Sequence, residues 1–281
     1  DMQDNDIVSH GHRLLKKELF KTHPYRFQTI GTHKSIDPIE RSEIAKFYKN
    51  LLKTGNMTLG ICGDFELDQV KALIEKYFSN IPSGDVEGSS LEKESAIEVK
   101  RDLLVNTNKE QTLVLLGFPS IDIYSKDRYA LEVIIDLLSG QSGILFKNIR
   151  GKKGLAYATG AFEVLGLDPG YIVLYTLTAK ENIDKVKKTI DKEVGNLIKK
   201  GVTEVDLNRS KNHLKAMRHM SLETNSAFIF MASLDELYGL GYANYKDYEK
   251  NIDRLSTKDI KRAAKEFLTL DKCAIVVLEG Q

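Results

Sequence analysis

Apolar residues recur at helical spacing in several stretches of the chain. Between Asp6 and Phe20 they are Ile7, Leu14, Leu15, Leu19 and Phe20, and the pattern breaks at Thr22-His-Pro-Tyr25. Ser35 to Ile39 is a turn containing Pro38. Glu40 to Leu52 predicts an amphipathic helix, with Ile44, Phe47, Tyr48, Leu51 and Leu52 on one face. Gly55-Asn56 ends it. Met57-Thr-Leu-Gly-Ile-Cys62 then reads as a short buried strand stopped by Gly63-Asp64. A second amphipathic helix is predicted over Leu67–Phe78 and closes at Ile81-Pro82. Ser83 to Ser95 is small, acidic and without periodicity, which marks residues 83–96 as a linker.

Beyond the linker come an irregular extended segment, Ile97–Val105, and a strand over Gln111–Phe118. A helix over Lys126–Leu138 ends at Ser139-Gly140-Gln-Ser-Gly143. A strand over Tyr171–Ala179 and helices over Ile183–Lys200 and Glu204–Glu223 follow. Helical pattern resumes over Ala227–Leu240, Lys246–Ile252 and Lys258–Phe267, before a last strand at Cys273–Leu278. Hairpin-like strands, a block of helices and a final strand make an α+β pattern, in which an antiparallel-rich sheet packs on helices.

Two stretches repeat. Ser42–Leu52 matches Lys258–Leu268, and with no gap each runs into a strand, Met57–Cys62 and Cys273–Leu278. Ile44 falls on Ile260, Leu51 on Phe267, Leu59 on Ile275 and Ile61 on Val277. Upstream, Asn5 through Tyr25 sits like Asn225 through Tyr242. The second copy has strands and long helices before it; the first does not. The expected organisation is a truncated first domain over residues 1–82, the linker, and a complete second domain over residues 97–281.

Composition narrows the function classes. The chain of 281 residues has 42% hydrophobic and 29% charged residues, which fits a globular protein with sizeable cores. No apolar run approaches the ~20 residues that a membrane-spanning helix needs. Lys+Arg 41 against Asp+Glu 40 leaves a formal charge of +1, so charge gives no case for nucleic acid as a partner. Cys62 and Cys273 lie far apart in apolar strand-like runs and are expected as buried free thiols. His10 and His12, and likewise His213 and His219, are mis-spaced for two metal ligands on one helical face, so no metal site is expected from this chain.

One stretch carries candidate chemistry. Phe146–Tyr157, running on to Phe162, reads as a helix end, a Gly151-Lys-Lys-Gly154 turn and a strand start. Arg150 falls on the last helical turn and Tyr157 just inside the strand, so both can face one side of the bend. A guanidinium and a phenol held there can donate hydrogen bonds to a carbonyl oxygen. On local pattern alone the preferred reading is plainer, with Arg150 a cap for helix carbonyls and Tyr157 a half-buried strand aromatic. Gly140 and Gly143 read either as a substrate-binding glycine loop or as a helix terminator.

The residues resemble the M16 metallopeptidases (pitrilysin, insulin-degrading enzyme, mitochondrial processing peptidase) over essentially the whole chain. His23-Pro-Tyr25 with Gly31 is similar to the family's HPY…G segment. Asn56-Met-Thr-Leu-Gly-Ile-Cys-Gly-Asp64, Tyr77-Phe78 and Ile81-Pro82 resemble its NM…GD…YF…IP run. Ser139–Phe146 resembles the GG…SRLF loop, with Ile144 in place of the usual Arg, and Arg150–Tyr157 resembles R…GLAY.

The resemblance implies the two-layer M16 (LuxS/MPP-like) fold in two domains, with a zinc site in the first. The family's inverted motif, His-x-x-Glu-His, does not occur in this sequence. Zinc is therefore expected in the parent protein or a partner half, and this chain alone is expected to bind none and to cleave no peptide. Arg150 and Tyr157 fall on the positions of an Arg/Tyr pair that reaches toward the zinc of a facing half. There the pair holds peptide carbonyls or the tetrahedral oxyanion. The expected partners are the missing N-terminal half-domain or a second M16 subunit, together with extended peptide substrate. The alternative is a non-catalytic M16 partner or structural subunit, or a peptide-binding half with no activity of its own.

Overall fold

The computed structural model describes residues 6–86, 88 and 91–281; Glu87, Ser89 and Ser90 of the expected linker lie outside the described residues. In chain order the helices are α1 (Ile7–Leu19), α2 (His33–Ile36), α3 (Arg41–Leu51), α4 (Leu67–Phe78), α5 (Arg128–Leu138), α6 (Ile183–Lys200), α7 (Glu204–Ser221), α8 (Asn225–Leu237), α9 (Tyr248–Asp253) and α10 (Thr257–Phe267). The strands are β1 (Arg101–Asn106), β2 (Thr112–Ser120), β3 (Ala156–Val164), β4 (Gly170–Thr178) and β5 (Ala274–Glu279). No described helix is long and apolar enough to cross a membrane.

Two compact units form. One comprises residues 1–29, 92–214 and 251–281, and the other residues 30–91 and 215–250. This division differs from the one read off the sequence: residues up to Thr29 cluster with the unit that carries the sheet, and Lys215–Lys250 with the helices of the first stretch.

The first unit is built on a five-stranded sheet in the order β1-β5-β2-β4-β3. β1 runs parallel to β5, and every other pairing is antiparallel. Arg101–Asn106 was expected as irregular; it is a regular strand because the carbonyls of Cys273 and Glu279 accept from the Arg101 and Thr107 amides at each end of the ladder. β2 is continuously apolar because both its faces are covered. Val114, Leu116 and Phe118 are buried on one face, where α5, α6 and α10 pack, and Leu113 and Leu115 on the other, under α1.

That second cover is close. A Cβ on Gly11 of α1 would lie 2.6 Å from a Leu113 methyl, and one on Gly117 of β2 would lie 2.8 Å from Leu15. Two glycines, one on each element, let helix and sheet approach. Leu15, Leu19, Phe20 and Ile97 complete the core there with Val173, Val276 and Leu278. Asp6 caps α1 by accepting from the Val8 and Ser9 amides. Just beyond α1, the carboxylate of Glu94 accepts from the amides of Lys21, Thr22 and His23 and from the Thr22 hydroxyl, at 2.8–3.0 Å. Partial burial acts to raise the Glu94 pKa, but these donors outweigh it and hold it down to about 2.

The second unit is helical among its described residues. Met57–Cys62, expected as a strand, begins extended at Met57 but forms no ladder; strand structure needs a hydrogen-bonded neighbour, and the backbone groups of Thr58–Cys62 have no backbone partner among the described residues. Cys62 is half-buried rather than buried, and Cys273 is buried as expected. Gly60 presses on α8: a Cβ there would lie 2.1 Å from the Ser233 hydroxyl oxygen and 2.7 Å from Ile229.

Ile260 is 0% exposed and Ile44, its counterpart in the repeat, is 58% exposed. Ile260→Ala should destabilise by about 2–5 kcal/mol and Ile44→Ala by no more than ~0.5 kcal/mol, read by urea unfolding. For Glu94 the folded pKa lies below its ordinary 4.5, so its contribution is full above pH 4.5 and is lost as pH falls toward about 2. The stability gap between the parent and Glu94→Ala should therefore be widest at neutral pH and shrink in acid, measured by thermal unfolding across pH.

Candidate functional site

The stretch from Ser139 to Phe162 forms a corner of the first unit, held from below and exposed above. α5 ends at Ser139, and Gly140 takes φ 70°, the left-handed conformation that lets a helix terminate without a Cβ penalty. Nothing lies within 4 Å of a Cβ built on Gly140, so its backbone is open to approach. Gly143 answers a different demand: a Cβ there would sit 1.9 Å from the Ser139 carbonyl oxygen. Loop geometry thus accounts for both glycines.

Ser139 secures this loop to the sheet. β3 is an outer strand, and at Ala161 its free edge is closed by the Ser139 hydroxyl, which accepts from the Ala161 amide at 2.8 Å and donates to the Ala161 carbonyl at 2.6 Å. One side chain does locally what a neighbouring strand would do.

The segment carrying Arg150 is not α-helical. Phe146–Gly151 is a π-helical turn, continued by the Lys152 amide donating to the Lys147 carbonyl five residues back at 2.9 Å. Leu145 and Ile149 are fully buried and anchor it, while Arg150 faces out with its guanidinium 5.2 Å from the Phe146 ring centroid. The turn that follows is pinned at several points. The Gly154 amide donates to the Arg150 carbonyl and Leu155 to Ile149, both at 3.0 Å. Lys153 Nζ donates to the buried Thr189 hydroxyl on α6 at 2.8 Å.

Tyr157 lies at a second irregularity. Ala156 pairs with Thr178 and Ala158 with Leu177, so Tyr157 is the extra residue of a β-bulge. It is 63% exposed in a strand whose next residues turn buried. The half-buried strand aromatic of the local reading is therefore not what forms; the bulge turns the ring outward. Arg150 and Tyr157 are both exposed at one helix–turn–strand corner, and no hydrogen bond joins them among the described residues.

One residue of β3 carried no sequence signal. Glu163 projects from β3 with Oε2 buried and without a hydrogen-bond partner. Burial, aided by the nearby Glu132 carboxylate, raises its pKa to about 8. A Glu in a strand of otherwise mixed residues looks solvent-facing, and only the packing of α5 over β3 shows otherwise. On the opposite face, His12 Nε2 lies 2.9 Å from the Tyr171 hydroxyl, and burial with Lys16 nearby holds the imidazole below its ordinary range. His23 is buried, its Nδ1 accepts from the Tyr25 amide, and its Nε2 lies 3.5 Å from Asp168. His213 pairs with Asp136, and His219 with Glu249. Among the described residues no group of three or more His, Cys, Asp or Glu side chains is placed to hold a metal ion.

Glu163 makes a prediction of definite sign. Its folded pKa lies above the ordinary 4.5, so stability is lost as pH rises from 4.5 toward about 8. Glu163→Gln should stabilise the protein at pH 8 by on the order of 2 kcal/mol, with the gain vanishing near pH 4, measured by urea unfolding at both pH values.

Known proteins share this architecture. A structure described as a peptidase M16 inactive domain, from Pseudomonas fluorescens, superposes with TM-score 0.89 at 22% identity, covering 100% of this chain and 67% of that one. A protease from Helicobacter pylori superposes with TM-score 0.85 at 21% identity, over 99% of this chain and 68% of that one. In sequence, an uncharacterized zinc protease of Rickettsia felis is 25% identical over 253 residues, 88% of this chain and 57% of that protein. One of Bacillus subtilis is 24% identical over 271 residues, 95% of this chain and 64% of that protein. The chain thus spans less than two thirds of the length of these curated relatives. The family model for the peptidase M16 inactive domain matches residues 38–214, more than half of the chain, and the protein belongs to that family.

Proposed function

We propose that this chain is the non-zinc-binding portion of an M16 peptidase and that Arg150 and Tyr157 hold the substrate's peptide carbonyl. The observation that carries the reading is a coincidence of two departures from regular structure. The π turn holds Arg150 and the β-bulge holds Tyr157, within one short stretch. Such insertions break a regular hydrogen-bond pattern and recur beside functional sites, where they re-aim side chains. Here each presents a hydrogen-bond donor outward, Arg150 from a turn anchored by the buried Leu145 and Ile149. A guanidinium N–H and a phenol O–H directed at one carbonyl oxygen orient it and stabilise negative charge developing there. Gly140 leaves its backbone open beside this corner and offers the same extended peptide a close approach.

In this reading residues 1–82 belong to the first M16 domain of the parent, residues 97–281 to the second, and an M16 half supplies the zinc and the water-activating chemistry. What this chain contributes is binding and orientation. An alternative role, as a non-catalytic partner with the same corner, is favoured by the family model's own description as an inactive domain.

The test is substitution in the complete assembly. Arg150→Ala and Tyr157→Phe should each lower turnover of a peptide substrate by about 10²-fold or more, with the thermal midpoint unchanged, because neither side chain is buried. Undiminished turnover in both variants would remove the role.

A further inference from the structure

Between Arg150 and Tyr157 the chain makes a turn that its own residues leave loose. Gly151 and Gly154 flank two lysines, all four residues are exposed, and Gly154 takes φ 61°. Glycine supplies conformational freedom, so the turn by itself does not fix the residues at its two ends. Backbone bonds settle its beginning: the Lys152 amide donates to the Lys147 carbonyl and the Gly154 amide to the Arg150 carbonyl.

The rest depends on two threonines from other elements. Thr178, at the end of β4, is fully buried, and its hydroxyl donates to the Leu155 carbonyl. Thr189 of α6 is buried as well. Its hydroxyl donates to the Lys185 carbonyl at 2.6 Å, and its oxygen accepts from Lys153 Nζ at 2.8 Å. With the hydroxyl proton committed to the backbone of α6, that oxygen is left as an acceptor for Lys153. Packing alone does not call for either hydroxyl. At a buried strand position such as 178, valine has the same branched shape and suits the strand equally well.

Leu155 is the joint of the turn. Its amide donates at 3.0 Å to the carbonyl of Ile149, the residue before Arg150. Its carbonyl accepts from Thr178, which pairs in the ladder with Ala156, the residue before Tyr157. The π turn and the bulge are therefore bonded to opposite sides of one residue. Ile149 and Thr178 are both buried, so neither end of that link follows a movement of the exposed turn.

We infer that Thr178 and Thr189 are positioning residues of the candidate site, setting Arg150 and Tyr157 relative to each other through Leu155 and Lys153. The inference rests on the reading of Arg150 and Tyr157 as donors to a substrate carbonyl, and neither threonine touches the substrate in it. Two donors that must meet at one oxygen tolerate little error in placement, and rigid support of this kind sets how well they meet.

Kinetics of the complete assembly, at a temperature where every variant is folded, test this. Thr178→Val should lower kcat by about 10-fold or more and change KM by less than about twofold. Thr178→Ser, which keeps the hydroxyl, should restore kcat. Lys153→Met removes the Thr189 tie from an exposed position, without risk to the core, and should lower kcat in the same direction. Added to Arg150→Ala, Thr178→Val should cost less than about twofold more, since one of the two donors it sets is already gone. Full turnover in both Thr178→Val and Lys153→Met overturns the inference. So does failure of serine to rescue, or an equal loss with and without Arg150. A second readout uses this chain alone: the backbone amide resonances of Arg150 and Tyr157 should shift together in Thr178→Val and return in Thr178→Ser. Shifts confined to Leu155 and its bonded neighbours overturn the coupling. Undiminished turnover in Arg150→Ala and Tyr157→Phe sinks the carbonyl-holding role separately, and the joint shift of the two resonances still decides whether Thr178 couples them.

Discussion

A sheet that is apolar on both faces must be covered on both, and the first unit is arranged around that constraint. Three helices from its own stretch of sequence cover one face. The other is covered by α1, which lies ~80 residues upstream of β1, well beyond the usual reach of a loop connection. Large side chains on both surfaces would hold helix and sheet apart, and glycine on each at Gly11 and Gly117 removes that obstacle. Glu94 then ties the end of α1 to the segment entering the sheet. The cover is thus fixed at its close approach and at its exit.

The same sheet sets the geometry of the candidate site. β3 is an outer strand, so one of its edges is free to be shaped by something other than a ladder. Ser139 occupies that edge at Ala161, and toward the strand's beginning the bulge at Tyr157 bends it. An interior strand, bonded on both sides, would resist such a bulge because two ladders would be broken instead of one. The π turn is tolerated for a related reason. Leu145 and Ile149 are buried, so packing fixes the register of the turn while its outer residues carry little of the stability. Arg150 and Tyr157 are mounted on rigid backbone although both side chains are exposed.

Much of this was legible in the sequence, and the unread parts share a cause. Helices showed clearly because an apolar stripe such as Ile183–Lys200 has the period of an α-helix whatever covers it. The turns at Gly140 and Gly154 were recognisable from their punctuation. The π turn and the bulge were not, because each is a one-residue change in hydrogen bonding that leaves the composition untouched. Met57–Cys62 has the pattern of a buried strand, yet a strand is a relation between segments, and Thr58–Cys62 has no backbone partner among the described residues. Helix α1 reads as amphipathic, but nothing in its pattern says which sheet it covers. Glu163 looks like a surface residue until α5 is placed over it. In each case periodicity identified a face and was silent on what meets it.

Exposure bears on what the Arg150–Tyr157 corner can do unaided. Tyr157 is 63% exposed and Arg150 is exposed as well. In water, unit charges ~4 Å apart interact by about 1 kcal/mol, whereas at an effective dielectric near 20 the figure is about 4 kcal/mol. A carbonyl meeting the corner in open solvent would exchange water's hydrogen bonds for these donors with little net gain. The donors become effective only when another surface closes over them and excludes water. A buried donor pair would have been a site in itself; an exposed pair on a rigid mount is suited to completing one. If the pair holds a carbonyl as proposed, that physical requirement calls for a facing surface.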